Sequence, residues 1–427
     1  MLHNPPSSAR ASRSIVTRLR FAAAGALVLV PLVPLAVRYW FLPPETFNQP
    51  STMASVVANV VAVVIAFWMR VAIQTYPGTR AGAILLPSIA AAHGAVVFLM
   101  LMARLPYDRV AVLIGFVVHL LWAYGLYFVV QRRLRPCIAV VPLGAIDMLK
   151  GIDRVDWWTM RRPDLSEADG CDAIVADFAA DLPPAWEALL ADAAIEGRVV
   201  YQVKQLYESM TGRVRIAHIS ENSFGSLVPV RGYAHIKTLA DWLFAVAILP
   251  LAAPLMVMVG IAIRLDSKGP ALFRQQRVGR RGAPITVYKF RTMQLHDDDP
   301  GREAAMTSDG DVRITRLGAF LRRSRIDELP QRINILKGEM SWIGPRPEAE
   351  VLSSWYTGEI PFYRYRHVVK PGISGWAQVN QGHVAAVDEI HEKLQYDFFY
   401  IKYFSPWLDV LIAFKTMRTM LSGFGAK

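Results

Sequence analysis

Cysteine is almost missing from this chain: 427 residues hold two, Cys137 and Cys171. They stand far apart and lack the paired spacing of a zinc site, so both read as reduced core residues. No G-x-G-x-x-G fingerprint, internal repeat or low-complexity tract occurs. No cleavable signal is evident either. The N-terminus is basic (Arg10, Arg13, Arg18, Arg20), but the apolar run after it has no convincing small-residue cleavage site, and the first span is expected to be retained. Acids are the minority charge, 35 against 47 Lys and Arg, for a net charge of +12. That balance suits anionic partners: nucleic acid, nucleotide phosphates or an acidic lipid surface.

Apolar residues are abundant, at 53% of the chain, and unevenly spread. The length allows two or three folded units, and the uneven hydropathy predicts a membrane part and a soluble part. Four apolar stretches, roughly 21–42, 53–74, 81–103 and 110–130, each supply the ~20 residues a helix needs to cross a bilayer. Basic residues crowd before the first and after the last (Arg132, Arg133, Arg135), while the first loop carries a Glu and no Lys or Arg. The positive-inside rule then puts both ends of the bundle in the cytoplasm, with Arg104 and Arg109 in the third loop as an exception. His93 and His119 lie within spans; a neutral His bonded to a neighbouring helix accounts for them as well as a functional role does.

From about 137 to 230 the pattern becomes a small α/β unit of the doubly wound kind. CIAVVPL, DAIVADF and RVVYQV read as buried strands, with AWEALLADAAIEG as a helix between the last two. The turn after the first strand, PLGAIDMLKG, offers Gly144 and Gly151 alone, so a structural or regulatory module is expected rather than a dinucleotide site. The segment 236–265 is long and apolar enough to span, yet Pro250 and Pro254 interrupt its middle. Two readings stay open: a kinked fifth span, or a helix that breaks midway and returns to the same side.

Chemistry concentrates after residue 264. Arg264, Lys268, Arg274, Arg277, Arg280, Arg281, Lys289 and Arg291 face one acid, Asp266, and ITVYKF reads as a strand. Such a face can bind lipid or hold a diphosphate. In ITRLGAFLRRSRIDELPQ a helix should fail near Asp327, because Pro330 disfavours helical geometry before it. A second helix can start there, with Asp327 as N-cap, setting a carboxylate and a bound phosphate beside free backbone N–H groups. Asp327 can then attack phosphorus while Glu328 holds a divalent cation; a capped helix with solvated charges is the plain alternative. Gly344-Pro345-Arg346-Pro347 fixes one Arg for bidentate phosphate contact. The loop 367–380 presents Lys370, Trp376, Gln378 and Asn380, and the aromatic C-terminal stretch fits helices in the membrane interface or packed against the 236–265 segment.

Together KGPALFRQQRVGRRG, YKFRTM, RIDELPQRINILKGEMSWIGPRP and KPGISGWAQVN, in order within 266–380, closely resemble the bacterial sugar transferase family, the monotopic phosphoglycosyl transferases. The four spans and degenerate Rossmann-like module look like its large subgroup, which initiates exopolysaccharide and O-antigen synthesis. The resemblance implies four membrane spans (21–133), the α/β module (137–230) and a mixed α/β catalytic domain (236–427). It also implies a re-entrant helix broken at Pro250 and Pro254. Its reaction would be two-step: Asp327 displaces UMP from a UDP-sugar, and undecaprenyl phosphate takes the phosphosugar from the aspartyl intermediate. Glu328 would bind Mg²⁺. Lys289, Arg291, Arg322, Arg323 and Arg346 would contact phosphate or nucleotide, with Lys370 and Gln378 as further binding candidates. Arg325 departs from the small hydroxyl residue usual before the dyad. The loop after the WAQVN strand reads QGH where many relatives have Gly and Arg. Both departures bear on which sugar is used; the subgroup's usual one is a hexose such as glucose or galactose. The expected location is the bacterial inner membrane, with the catalytic domain facing the cytoplasm.

Two other readings remain: a conventional membrane glycosyltransferase releasing UDP, and a non-catalytic membrane scaffold or nucleotide sensor. Nucleic acid is not an expected partner, since the cations sit among turns beside membrane segments rather than on a reading element. Stability, homodimer formation or partner docking is the expected role of the bundle and the α/β module.

Overall fold

A computed structural model describes residues 19–41, 49–74, 81–131, 136–152, 155–215, 229, 231–294, 313–381 and 387–422. The basic residues that orient the bundle (Arg10, Arg13, Arg18, Arg132, Arg133, Arg135) and the Gly-His of the QGH loop lie outside them. The chain divides into two compact units, Met1–Gly212 and Arg213–Lys427.

The first unit opens with α1 (Leu19–Phe41), α2 (Pro50–Gln74), α3 (Ala81–Met102) and α4 (Arg109–Gln131). Each is long and apolar enough to cross a membrane. Small residues allow close helix approach: Ala58, Ala62, Ala66, Ala92 and Ala123 are buried, while larger apolar side chains such as Leu32, Trp68, Phe98 and Leu121 point outward. Gly25 lies against the Trp122 ring and Gly115 against Asn59, where a Cβ would overlap its neighbour. Trp122 Nε1 donates to the Ala22 carbonyl at 2.9 Å, tying α4 to α1. The two buried histidines meet each other, His93 Nε2 to His119 Nδ1 at 3.2 Å, which gives each a partner inside the bundle.

The α/β part is a four-stranded parallel sheet of β1 (Cys137–Val140), β2 (Asp156–Thr159), β3 (Ala173–Ala176) and β4 (Val199–Gln202), in order β2-β1-β3-β4. Helix α5 (Pro184–Ile195) joins β3 to β4, and α6 (Val203–Thr211) follows. Three strands and α5 match the sequence pattern; β2 carries no such signal, because Asp-Trp-Trp-Thr does not alternate. The cysteines correct the sequence reading. Cys137 and Cys171 form a disulfide, with Cα atoms 4.6 Å apart. Their 34-residue separation is closed by the fold, which sets β1 beside β3 with Ile138 opposite Ala173. The turn after β1 is filled from within. Asp177 Oδ2 accepts the Ala145 amide at 2.9 Å, and its Oδ1 accepts Gln202 Nε2 at 3.1 Å. A phosphate seated there would meet a carboxylate in place of open N–H groups.

The second unit begins with α7 (Arg231–Asp266), a fifth apolar helix long enough to span, with Pro250 and Pro254 inside it. Beyond it come the antiparallel hairpin β5 (Leu272–Val278) and β6 (Pro284–Phe290), α8 (Arg316–Arg323), a 3-10 turn (Ile326–Gln331) and α9 (Arg332–Leu336). Strands β7 (Ser341–Ile343) and β8 (Gly372–Ser374) pair in parallel around α10 (Glu350–Glu359). The unit ends with α11 (Trp376–Asn380), α12 (Val387–Lys402) and α13 (Pro406–Ser422). Both halves of α7 pack on this unit. Near one end Lys237 Nζ meets Asp409 Oδ2 at 2.7 Å, Ser341 Oγ donates to Asp241 at 2.6 Å, and Ala245 clusters with Ile285 and Val287. Near the other, Ile263 clusters with Phe290 and Leu321.

One sequence expectation changes here, and one open reading is decided. WAQVN is a short helix, not a strand; Gly375 precedes it, and Trp376 stacks on Phe399 with centroids 5.6 Å apart. Helix α12 is core rather than interfacial, since Phe398, Phe399, Tyr400 and Ile401 are fully buried. Its aromatics face the protein because Asp397 must pair with Arg366, at 2.8 Å, and Tyr400 must donate to Asp409, also at 2.8 Å.

Candidate active site

The site grows from three local devices. First, the β5–β6 hairpin carries Arg277 and Lys289, with Arg277 opposite Ile285. Second, Thr315 caps α8 by accepting the Gly318 amide at 2.9 Å, and the helix stops at Arg323. Arg325 then takes a left-handed conformation (φ 57°), turning the chain into the 3-10 turn that carries Asp327 and Glu328. Asp327 is therefore not an N-cap: Arg325 occupies that place and no side-chain cap bond forms. Pro330 has no N–H to return to the preceding turn, so a regular helix begins only at Arg332. Third, Gly344 approaches Gly372 and Gly375 so closely that a Cβ on either would strike the Gly344 backbone. This contact fixes the Pro345-Arg346-Pro347 turn. Arg366 Nη2 donates to the Arg346 carbonyl at 2.9 Å and Arg277 to the Pro347 carbonyl, while Lys393 and Arg366 pair with Glu348.

These devices converge on two carboxylates. Glu328 is buried, and its Oε1 accepts Arg346 Nη2 at 2.6 Å; Arg325 lies 3.9 Å and Lys289 4.0 Å from the same oxygen. Burial alone would raise the Glu328 pKa, but Arg346 and Lys289 hold it down to about 2. Asp327 goes the other way. Burial, then the neighbouring Glu328 charge, push it up to about 6, and its buried Oδ1 has no hydrogen-bond partner. Burial, with Arg277 and Arg346 nearby, lowers Lys289 to about 7. Four cations thus surround two carboxylates, a surplus that attracts phosphate, and one carboxylate oxygen is left without a bond of its own.

Of the residues singled out from sequence, Lys289 and Arg346 join the Asp327–Glu328 pair. Arg277 and Arg325 join it too. The first was legible only as one cation among many, and the second only as a departure from the family pattern. Arg291 sits elsewhere: it is buried and donates to the carbonyls of Lys268 at 2.9 Å and Ser267 at 2.7 Å, closing the end of α7. Arg322 Nε donates to Thr292 Oγ1 at 2.9 Å, and Arg323 is exposed. Gln378 turns inward to the Ile373 carbonyl at 3.1 Å, and Lys370 lines a separate cavity with Arg280 and Arg281. Among the described residues no group of three or more His, Cys, Asp or Glu could hold a metal. Two carboxylates suffice for Mg²⁺ when substrate phosphates and waters complete its shell, so the donor set fits that ion.

Residues 232–423, from α7 into α13, match the family described as bacterial sugar transferase. The chain is also 46% identical over 353 residues to a UDP-N-acetylgalactosamine-undecaprenyl-phosphate N-acetylgalactosaminephosphotransferase of Aeromonas hydrophila, covering 82% of this chain and 83% of that protein. The chain belongs to the bacterial sugar transferase family. Other relatives match a smaller part of the chain. A UDP-glucose:undecaprenyl-phosphate glucose-1-phosphate transferase of Escherichia coli (strain K12) is 41% identical over 184 residues, 43% of this chain and 39% of that protein. The exopolysaccharide production protein PSS of Rhizobium leguminosarum bv. phaseoli is 37% identical over 192 residues, 44% of this chain and 96% of that protein. As a member of this family the chain is a transferase, and the sugar-phosphotransferase reading of its sequence stands.

Proposed function

We propose that this enzyme transfers a sugar 1-phosphate from a UDP-sugar to undecaprenyl phosphate and releases UMP. The observation that carries the reading is the Asp327 Oδ1, buried, unbonded and bordered by Lys289, Arg346 and Glu328. In the first step that oxygen bonds to the sugar-bearing phosphorus and the bond to the bridging oxygen breaks, so UMP leaves with the electron pair. In the second, an oxygen of undecaprenyl phosphate attacks the same phosphorus and Asp327 departs as carboxylate. Lys289, Arg346, Arg277 and Arg325 hold phosphate oxygens and spread the developing charge. Mg²⁺ held by Glu328 and Asp327 would neutralise phosphate charge when bound.

A re-entrant α7 fits this chemistry. Ala245 belongs to the cluster that holds Ile335 and Met340, and Ile263, 18 residues further on, to the one that holds Phe290 and Leu321, so both halves of α7 meet the catalytic unit. Pro250 and Pro254 lie between them. A bend at these prolines would keep the catalytic unit on the cytoplasmic side of the inner membrane, where nucleotide sugars are made.

The N-acetylgalactosamine-specific relative is similar over most of both chains, whereas the glucose-specific one matches less than half of this chain. UDP-N-acetylgalactosamine therefore joins UDP-glucose and UDP-galactose as donors to test. Membranes carrying the protein, given Mg²⁺ and undecaprenyl phosphate, should release UMP with one of them. Release of UDP instead would make the enzyme a conventional glycosyltransferase.

A further inference from the structure

A second cationic site lies at the tip of the β5–β6 hairpin. There Arg280, Arg281 and Lys370 border a cavity of about 780 Å³ whose other wall is the first turns of α7, including Leu239 and Trp242. Arg281 is held in a left-handed conformation (φ 58°), which non-glycine residues seldom adopt. Among the described residues none of the three cations forms an ion pair. The carboxylate on the wall, Asp241, is already engaged by Ser341 and lies 3.8 Å from Lys237. Burial lowers the pKa of Lys370, with the Asp241 charge opposing the shift. The apolar side is open: Leu239 is 60% exposed and Trp242 45%.

We propose that this cavity binds the phosphate of an anionic bilayer phospholipid, with an acyl chain running along Leu239 and Trp242. Three cations beside an apolar strip match a headgroup and a chain together. A nucleotide or free phosphate would leave the strip in water. The inference rests on α7 lying in the membrane, where Trp242 fits the interface. Distance separates this ligand from the reacting acceptor. At about 3.3 Å per residue, Lys289 stands roughly 16 Å along β6 from Pro284 beside the tip, too far for one phosphate to reach both Arg281 and Asp327. The site would set the depth and tilt of the catalytic unit at the bilayer surface.

The test uses the full chain in mixed micelles of phosphatidylglycerol and phosphatidylcholine, with bound lipid counted by native mass spectrometry. One phosphatidylglycerol per chain, retained in preference to phosphatidylcholine, is expected. The Arg280→Gln/Arg281→Gln double variant should weaken retention about 30-fold, equivalent to ~2 kcal/mol for two interfacial cations. Asp327→Asn should retain the lipid as wild type does. Equal retention of the two lipids by the wild-type chain would overturn the proposal even if the double variant fails to fold. Displacement of phosphatidylglycerol by undecaprenyl phosphate at equal concentration would overturn it too, assigning the cavity to the acceptor.

Discussion

Arg346 does two things at once: it neutralises buried Glu328 and presents donors to the cleft beside Asp327. Arg346→Ala leaves that carboxylate with Lys289 and Arg325 at about 4 Å as its remaining partners, and should cost about 3 kcal/mol of stability. A lower melting temperature together with lost donor turnover would bear this out, and Arg346→Lys should recover stability more than activity, because an ammonium lacks the planar fork that aligns two oxygens at once. Glu348 provides a pH test. Its pKa is depressed: burial works against this, but Lys393 and Arg366 outweigh it. A depressed acid contributes stability that is present above its ordinary value of about 4.3 and lost as pH falls below it. Melting curves from pH 7 down to pH 3 should therefore fall less steeply for Glu348→Gln than for wild type. Equal slopes would remove Glu348 from the acid response. Asp327, Glu328, Lys289 and Arg346 were all legible in the sequence, since each sits in a motif of fixed order. Arg291 was not placed by the same logic: motif position cannot distinguish a guanidinium facing phosphate from one closing a helix end.

Glycine contacts decide how the elements carrying these residues meet. A Cβ on Gly318 would lie 2.0 Å from the Thr292 carbonyl oxygen, so Gly318→Ala must push α8 off the segment that follows β6 and strain the Arg322–Thr292 bond. The expected loss is about 1–3 kcal/mol with reduced activity, because α8 leads directly into the Asp327 turn. Gly358 is the opposite case: it lies in α10 with nothing within 4 Å of its Cβ position. Gly358→Ala should stabilise by about 0.5–1 kcal/mol and leave activity unchanged. Parallel melting curves of the two variants would test the opposite signs. Periodicity revealed the four long apolar helices, the β6 strand and most of the α/β sheet. It failed on β2, whose Asp-Trp-Trp-Thr does not alternate, and on WAQVN, whose Ala377 and Val379 alternate with Gln378 and Asn380 as in a strand while Gly375 starts a helix. It left α12 open, because an aromatic stretch looks alike whether it faces lipid or core.

The long-range consequence of this layout is a division of labour between the two units. All the groups around Asp327 come from residues 277–346, within the second unit. The Rhizobium relative matches 192 residues of this chain over 96% of its own length. Residues 213–427 expressed alone in membranes should release UMP at a rate within about tenfold of the full chain. Loss of activity with the fold intact would give the bundle or the α/β sheet a direct part in the reaction. Neither the Cys137–Cys171 bridge nor the Asp177 carboxylate filling the β1 turn was legible in sequence, for both depend on which strands become neighbours. The most direct test of the account is a single-turnover experiment on the full chain with UDP-sugar and Mg²⁺ but no lipid acceptor. Asp327 as nucleophile predicts a burst of UMP matching the enzyme concentration, and a protein mass increased by one sugar phosphate, both absent in Asp327→Asn. UMP formed only after undecaprenyl phosphate is added, with no mass change on the protein, would contradict a covalent Asp327 intermediate and point to direct transfer between the two substrates.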